Sequence, residues 1–539
     1  MNNHALRELL IGWQFWALEA QCVLLVVTTI VEMRRLTVHR ATVAAGAVLA
    51  LGVSLLTATL PPRTNRIYYD EQIYQGVGRN LSDLRRAQMC NDGVVEYGRL
   101  QCFQGEYNKE PNGYPYLLSI VYRAAGVGDR TAFRFNNVVA GLTVLTTALL
   151  ADVLFANAWI AVLSGLVIGL LPMQLQWSNT AAAEPTAALL CALSMLAAVH
   201  FARVRTTSAL VWTVACAAFA LTTRPEAVLV IPLIALVLLL FAPEELLQQR
   251  LWIAAIAGAC VATAPLLHIV AVQNESWGTS GARLAWAYAR SNFAVNARFY
   301  FWDERFLAIC GAAAVIGVLA AERLRERLML LAYFLAFWTI FLFFYAGSYN
   351  YGADVRYSLM TYVPLAILAS LGLWRIARFA TAFAGRDWSD GRGGAAIAAV
   401  LIVQFFWYAP LVRATGEEAW AARADVRFAK EFASRLPANS IVLTHNPAMF
   451  HVWNVSAAQM SMVRSNPRYL DRLFDRYAGG VYLHWNYWCN VADPLQRSFC
   501  QAGLDEFPHE LVASARERDY QFGLYRLKPA DRRVTDRVQ

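Results

Sequence analysis

The sequence predicts a polytopic α-helical membrane protein with an extracytoplasmic α/β domain at its C-terminal end. Hydrophobic residues make up 58% of the 539 residues, charged residues only 16%, and the mean hydropathy is +0.38, unlike an ordinary soluble domain. Between Leu9 and Val412 we count about twelve apolar runs of the roughly 20-residue length that a crossing helix requires. After Val412 strand-like and helix-like segments alternate instead.

The orientation follows from arginine placement. Four short loops between the apolar runs are rich in arginine, and such loops usually stay cytoplasmic. They contain Arg34, Arg35 and Arg40; Arg203 and Arg205; Arg323, Arg325 and Arg327; and Arg375, Arg378, Arg386 and Arg392. We therefore expect 61–129, 273–304, 347–355 and 413–539, with both termini, to lie outside.

The net charge of +9 raises the question of nucleic acid binding. Much of this charge lies in the arginine-rich loops, and the tail has no basic patch with interleaved aromatic residues. A membrane explains the charge better, so we expect no nucleic acid partner.

Four of the nine cysteines lie in the predicted outside segments and form two local pairs. Cys90 with Cys102, and Cys489 with Cys500, each bracket a short loop, which fits disulfides in an oxidising compartment. Four cysteines still allow three connectivities. Neither pair has zinc-like spacing or an accompanying histidine pair, so we assign no metal site, and dependence on a divalent cation stays open.

The first outside loop, 61–129, is expected to be structured. Ile73, Val77 and Leu81 recur at helical spacing, which predicts an amphipathic helix from Asp70 to Arg86 that lies on the membrane surface. A second short helix is expected after Pro115.

The tail has the alternation typical of a small α/β domain. Strands are expected at 440–444 and 479–483, preceded by helices at 424–436 and 467–477. The predicted division is therefore a transmembrane domain over 1–412, which includes the loop 61–129, and an α/β domain over 413–539.

Charged residues gather where these outside segments meet the membrane. Asp70 and Glu71 come a few turns after the apolar run 41–60, so two acids lie near the lipid headgroups and the expected substrate is partly a lipid. The alternative is that both acids only complement the dipole of a helix N-terminus.

Four more charged residues occupy the same predicted face. Lys109 opens a proline-braced turn, Glu184 begins a descending span, Arg224 precedes Pro225, and Arg356 begins a later span. Each arginine alone is equally well explained as a snorkelling side chain. Together with the acids they match what transfer from a lipid phosphate requires, a base for the acceptor and cations for the departing phosphate.

These motifs resemble the GT-C superfamily of integral-membrane glycosyltransferases. The similarity is to the branch with protein O-mannosyltransferases, the lipid A aminoarabinose transferase and rhizobial galacturonosyltransferases. It is carried by Asp70-Glu71, the turn Lys109 to Pro115, the Glu184 turn, Arg224-Pro225 and Arg356-Tyr357. The chain departs from the branch in having Glu110 between Lys109 and Pro111, and an additional apolar span before Ala41.

The resemblance implies an inverting hexosyl or pentosyl transfer from a polyprenyl-phosphate-linked sugar. It implies a multi-pass enzyme of the cell envelope, in the bacterial cytoplasmic (inner) membrane, with its active site on the periplasmic face. By the same resemblance Asp70 is the general base and Glu71 orients or supports it. Lys109, Arg224 and Arg356 bind the donor phosphate. Glu184, Tyr69 and Tyr357 contact the acceptor or support the site.

The implied partners are a membrane lipid donor and an acceptor glycan, lipid or protein. Two other functions compete with this one. A lipid or sugar transporter is expected to carry its charges near the bilayer midplane, and a lipid-linked glycan ligase is expected to depend on arginines more than on an early acid. The charges of this chain cluster at one face, which favours transfer.

Overall fold

The computed structural model describes residues 3–275, 281–350, 352–385, 389–491 and 493–529. The helices are α1 (Asn3–Met33), α2 (Arg40–Thr59), α3 (Asp70–Leu84), α4 (Gly113–Ala125), α5 (Asp129–Phe155), α6 (Ala158–Leu170), α7 (Pro172–Trp177), α8 (Glu184–Val204), α9 (Thr207–Ala220), α10 (Val230–Phe241), α11 (Gln249–Val261), α12 (Thr263–Val272), α13 (Trp286–Trp302), α14 (Ala308–Val318), α15 (Leu324–Leu342), α16 (Leu359–Phe383), α17 (Asp390–Arg413), α18 (Trp420–Ala433), α19 (Pro447–Val452), α20 (Ser461–Ser465), α21 (Pro467–Arg476), α22 (Tyr487–Asn490) and α23 (Pro494–Asp505). Three 3-10 helices cover Pro225–Leu229, Pro243–Leu247 and Gly352–Ser358. The strands are β1 (Met89–Glu96), β2 (Arg99–Glu106), β3 (Ser440–Thr444), β4 (Ser456–Gln459), β5 (Gly480–Trp485), β6 (His509–Glu517) and β7 (Tyr520–Leu527).

The chain is mostly helical and multi-pass, as predicted. Among the described residues, six helices are long and apolar enough to cross a membrane, namely α1, α2, α5, α8, α17 and the continuous segment Ala353–Phe383 that contains α16. The bent pair α11 and α12 makes a seventh span if it crosses as one unit. Four shorter apolar helices also occur, so the total of about twelve spans stays a prediction.

The spans differ in how much of their surface is buried. In α5, α8 and the α16 span, 83%, 83% and 89% of the most apolar window is buried inside the protein. The corresponding values are only 33%, 22% and 28% in α1, α2 and α17. The first three therefore form the centre of the helical bundle, whereas the other three present apolar side chains outward, as lipid-facing helices do.

A seven-stranded sheet forms outside the bundle, in the order β2-β1-β4-β3-β5-β7-β6. The central strands β4, β3 and β5 are parallel, and the remaining pairs are antiparallel. β3 and β5 coincide closely with the two strands expected in the tail. The hairpin β1–β2 was not expected, and it joins the sheet through the pairs Asp92 with Ala458 and Gly93 with Ala457.

Helix α3 forms where the apolar spacing predicted it. Ten of its fifteen residues are buried, so most of its surface is covered by protein, and its position at the membrane surface stays a prediction. It packs against α4 on one side and α19 on the other, and both contacts use glycine. A Cβ atom on Gly76 would lie 2.5 Å from Ala448 Cβ, and one on Gly78 would lie 3.1 Å from Leu118 Cβ. Helix α3 is thus held between the membrane bundle and the tail.

The structure contains both local disulfides expected from the cysteine spacing. Cys90–Cys102 joins β1 to β2, and Cys489–Cys500 joins α22 to α23. Each bond closes a loop of a dozen residues or fewer. Such cross-links restrict the unfolded chain and so stabilise the two segments that they connect.

Candidate active site

A cavity of about 1670 Å³ lies where the predicted outside segments converge. Five of the residues singled out from the sequence line it: Asp70, Lys109, Arg224, Arg356 and Tyr357. They come from the first outside loop 61–129, the turn before Pro225 and the 3-10 helix Gly352–Ser358, which are far apart in the chain. The fold therefore brings together groups that the sequence places only on the same face.

Asp70 is the first residue of α3, where an acid complements the N-terminal end of the helix dipole. Its side chain is half-buried and borders the cavity. The helix start is thus fixed by packing while the carboxylate stays accessible. This combination suits a group that exchanges a proton with a bound substrate.

Glu71 points away from the cavity and is fully buried. Its carboxylate accepts hydrogen bonds from Asn65 Nδ2 at 2.9 Å and from the backbone N–H groups of Arg66, Ile67 and Ala181 at 2.6, 3.1 and 2.7 Å. Burial raises the pKa of Glu71 to about 7, although these hydrogen bonds oppose the shift. Its position matches the supporting role, because it ties the loop before Asp70 to the turn before α8.

Glu184 lies beneath the two arginines rather than in the cavity wall. Its Oε1 atom lies 3.2 Å from Arg224 Nη1 and 2.8 Å from Arg356 Nε, and the side chain is fully buried. Arg224 also pairs with Glu226 at 3.0 Å, and Arg356 lies 3.5 Å from Asp354. One carboxylate therefore fixes two guanidinium groups that border the cavity, and Glu184 is best described as a positioning residue.

Tyr357 connects these two arginines. Arg356 donates a hydrogen bond of 2.9 Å from Nη2 to the Tyr357 hydroxyl. The guanidinium carbons of Arg356 and Arg224 lie 4.6 and 5.7 Å from the centroid of the tyrosine ring. Such cation–π contacts hold the two guanidinium groups in place in addition to their ion pairs with Glu184.

Glu110, which in the sequence stands out as a departure from a family pattern, borders the cavity beside Lys109. Its side chain is buried, and burial together with the nearby Asp70 carboxylate raises the pKa of Glu110 to about 7, against the effects of Arg224 and Lys109. The interaction with Asp70 places two carboxyl groups in one cavity. The signal was present in the Lys109-Glu110-Pro111 turn, but only the fold shows that its acid turns inward.

The raised pKa values of Glu71 and Glu110 predict a pH dependence of stability. An unfolded chain releases the proton of a glutamate near pH 4.5, whereas the folded protein keeps it until about pH 7. The folded state binds more protons in this window, so stability falls as the pH rises through it. We expect the melting temperature to decrease between about pH 5 and pH 8. Glu110→Gln should flatten this decrease, and an unchanged slope in the variant would contradict the assignment.

The cavity wall is chemically mixed. Arg283, Arg298 and Arg305 add cations, and Asp303 holds Arg305 through contacts of 2.8 and 2.6 Å. The apolar part of the wall includes Val228, Leu284, Val295, Ile340, Phe341 and Phe344. Acidic residues line the cavity as well, so the wall offers charged groups of both signs beside an apolar surface that can receive a hydrocarbon chain.

One group of metal-ligating side chains occurs in the described part of the chain, His445 with Cys489 and Cys500. Both cysteine sulfurs are joined in a disulfide, so they are not available as thiolate ligands. The acidic groups of the cavity do not form a further such cluster within these residues.

Comparison with known proteins agrees with this architecture. Residues 109–269 match the family of dolichyl-phosphate-mannose-protein mannosyltransferases. No curated protein matches the sequence significantly. ArnT from Cupriavidus metallidurans bound to undecaprenyl phosphate superposes with a TM-score of 0.57 and 15% identity, over 89% of this chain and 97% of that chain. ArnT from the same organism in the apo state superposes with a TM-score of 0.56 and 14% identity, again over 89% of this chain and 97% of that chain.

Arabinosyltransferase EmbB from Mycobacterium smegmatis gives a TM-score of only 0.33 and 12% identity, over 72% of this chain and 43% of that chain, and we draw nothing from it. The similarity to ArnT shows a shared fold that extends over nearly the whole of both chains. The chain therefore shares its fold with ArnT, and within that fold residues 109–269 match the mannosyltransferase family.

Proposed function

We propose that this protein transfers a sugar, with inversion, from a polyprenyl-phosphate donor to an acceptor hydroxyl on the extracytoplasmic face of the bacterial cytoplasmic membrane. The observation that carries the proposal is the convergence of Asp70, Lys109, Arg224 and Arg356 on one cavity with a partly apolar wall. The relative ArnT was crystallised with undecaprenyl phosphate, which agrees with a lipid-phosphate ligand.

Asp70 acts as the general base in this mechanism. The acceptor hydroxyl gives its proton to the Asp70 carboxylate while its oxygen attacks the anomeric carbon from the side opposite the phosphate. The bond between that carbon and the phosphate oxygen breaks, and its electron pair leaves with the polyprenyl phosphate. The departing phosphate gains a negative charge, so groups that stabilise this charge accelerate the step.

Arg224, Arg356 and Lys109 supply that stabilisation. The arginines are already fixed by Glu184 and Tyr357, so little reorganisation is needed when the charge develops. Guanidinium groups bind phosphate oxygens bidentately, and a lysine adds a compact charge. The apolar wall accommodates the first isoprene units, while the rest of the chain extends into the lipid.

The test is transfer of radiolabelled sugar from a synthetic polyprenyl-phosphate donor to membrane acceptors by the intact protein. We expect labelled acceptor and free polyprenyl phosphate in equal amounts, and an inverted anomeric configuration in the product. A nucleotide sugar alone should give no product. Movement of the labelled lipid between leaflets without chemical change would instead favour a transporter, and transfer of a whole glycan from a diphosphate carrier would favour a ligase.

A further inference from the structure

A row of buried polar groups connects the start of α3 to the tail. The Tyr69 hydroxyl donates a hydrogen bond to Asp425 Oδ2, and Asp425 Oδ1 lies 3.1 Å from His484 Nε2. On the far side of the ring, His484 Nδ1 lies 3.2 Å from Thr444 Oγ1. The exposed fractions of Tyr69, Asp425, His484 and Thr444 are 7%, 1%, 0% and 0%. Four polar side chains thus meet without access to bulk water.

The row is anchored at the centre of the sheet. Thr444 ends β3, and His484 lies on β5, the strand that pairs in parallel with β3 at the centre of the sheet. Asp425 comes from α18. The Tyr69 ring also packs against Tyr487 and Trp488, with centroids 6.3 and 6.1 Å apart. The residue just before the proposed base is therefore held by helices α18 and α22 of the tail, and Asp425 of α18 in turn meets His484 on the sheet.

Two neighbouring contacts connect the same part of the first loop to the tail. Arg66, four residues before Asp70, forms a buried ion pair with Glu418. Arg79, nine residues after Asp70, donates a hydrogen bond to the backbone oxygen of His451. The base thus lies between fixed points on both sides.

We infer that Tyr69, Asp425 and His484 are positioning residues through which the tail sets the placement of the Asp70 carboxylate in the cavity. The inference rests on the proposed function for the role of Asp70. Burying the Asp425 carboxylate costs free energy of folding. Well-packed apolar residues in its place would commonly leave the protein as stable or more stable. The hydrogen bond from Tyr69 to Asp425 is directional, so it adds a defined orientation of Tyr69 and of the helix start, while the close His484 ring keeps Asp425 in place.

The tail then belongs to the catalytic unit and is more than an attached module. A displacement of about 1 Å in a catalytic group can reduce a rate on the order of 100-fold. The polar row lies outside the cavity wall, because Tyr69, Asp425 and His484 are not among its lining residues. Their substitution should change the chemical step while leaving donor binding intact.

The first test compares Tyr69→Phe and His484→Gln with the wild type in steady-state transfer. We expect kcat to fall about 10- to 100-fold with little change in the KM for a synthetic polyprenyl-phosphate sugar. Tyr482→Phe is the matched control, since Tyr482 is a buried tyrosine of the tail whose hydroxyl donates to the Gly479 backbone oxygen and is not part of the row. It should lower the melting temperature without this loss of kcat. A rise in KM alone, or an equal kcat loss in the control, would overturn the inference.

A double variant separates positioning from general destabilisation. Tyr69 and His484 act through one connection, so Tyr69→Phe combined with His484→Gln should lose no more kcat than the worse single variant. Losses that multiply would show two independent structural effects and contradict the inference. Both substitutions keep the size of the side chain, and neither leaves the buried Asp425 without any polar neighbour.

A labelling experiment tests the placement without requiring activity. In a Cys260→Ser background, which removes the exposed free cysteine, Asp70→Cys is reacted with a charged methanethiosulfonate reagent. Adding His484→Gln should alter the labelling rate several-fold, whereas adding Tyr482→Phe should not. Equal rates in all three proteins would overturn the positioning role. If the wild type transfers no sugar, the proposed function fails, and the labelling rates still decide this inference.

Discussion

Replacing Asp70 by asparagine should reduce sugar transfer by about 10²- to 10⁴-fold, the usual contribution of a general base. Asparagine has nearly the same shape but cannot take a proton from the acceptor hydroxyl. The neighbouring residues of α3 are buried and should keep their packing. The measurement is label transfer from a polyprenyl-phosphate sugar to membrane acceptors at equal protein levels. Binding of polyprenyl phosphate, measured in parallel, should be unchanged.

The matched control lies at the other end of the same helix. Asp83 pairs with Arg79 at 3.3 Å and accepts a hydrogen bond from Leu100 N, and it does not border the cavity. Asp83→Asn should therefore keep the wild-type rate of sugar transfer. It also shows whether α3 stays folded when one of its carboxylates is replaced by an amide. Full activity in Asp70→Asn would refute the base assignment and place the ligase or transporter function first. Loss of polyprenyl phosphate binding in the same variant would mean that Asp70 supports the cavity only.

Local sequence patterns predicted those features that depend on local structure. Apolar spacing located α3, apolar runs located β3 and β5, and cysteine spacing located both disulfides. The arginine-rich loops and the number of spans between them predicted that Asp70, Lys109, Arg224 and Arg356 lie on one face of the membrane. These four residues line one cavity. Each of these inferences needs only the residues within one segment and the thickness of a bilayer.

Features that depend on distant partners were not predictable. The hairpin β1–β2 contains polar residues and an Asn-Asp-Gly run, and its partner β4 comes more than 300 residues later. The burial of α3 likewise depends on α19, which supplies Ala448 against Gly76. The same limit applies to Glu110, because a buried acid and a solvated acid look alike in a sequence.

Glu184→Gln is the substitution with the largest expected effect on stability. It removes the carboxylate that both Arg224 and Arg356 contact. Within the described part of the chain, the two buried guanidinium groups then keep only Glu226 and Asp354 as ion-pair partners. Removing one partner of a buried ion pair typically costs about 3–5 kcal/mol. We therefore expect a marked drop in the melting temperature, measured by intrinsic tryptophan fluorescence, together with loss of transfer. Glu226→Gln is the control, since Glu226 pairs with Arg224 alone, and it should have the smaller effect.

Polyprenyl phosphate distinguishes a structural ion pair from a donor site in this variant. If Arg224 and Arg356 face the donor phosphate, the ligand supplies the negative charge that Glu184→Gln has removed. A ligand that binds only the folded state raises its stability in proportion to its affinity. Added polyprenyl phosphate should then raise the melting temperature of Glu184→Gln more than that of the wild type. An equal shift in both proteins would mean that the lipid phosphate binds elsewhere and that the two arginines, despite bordering the cavity, serve the fold.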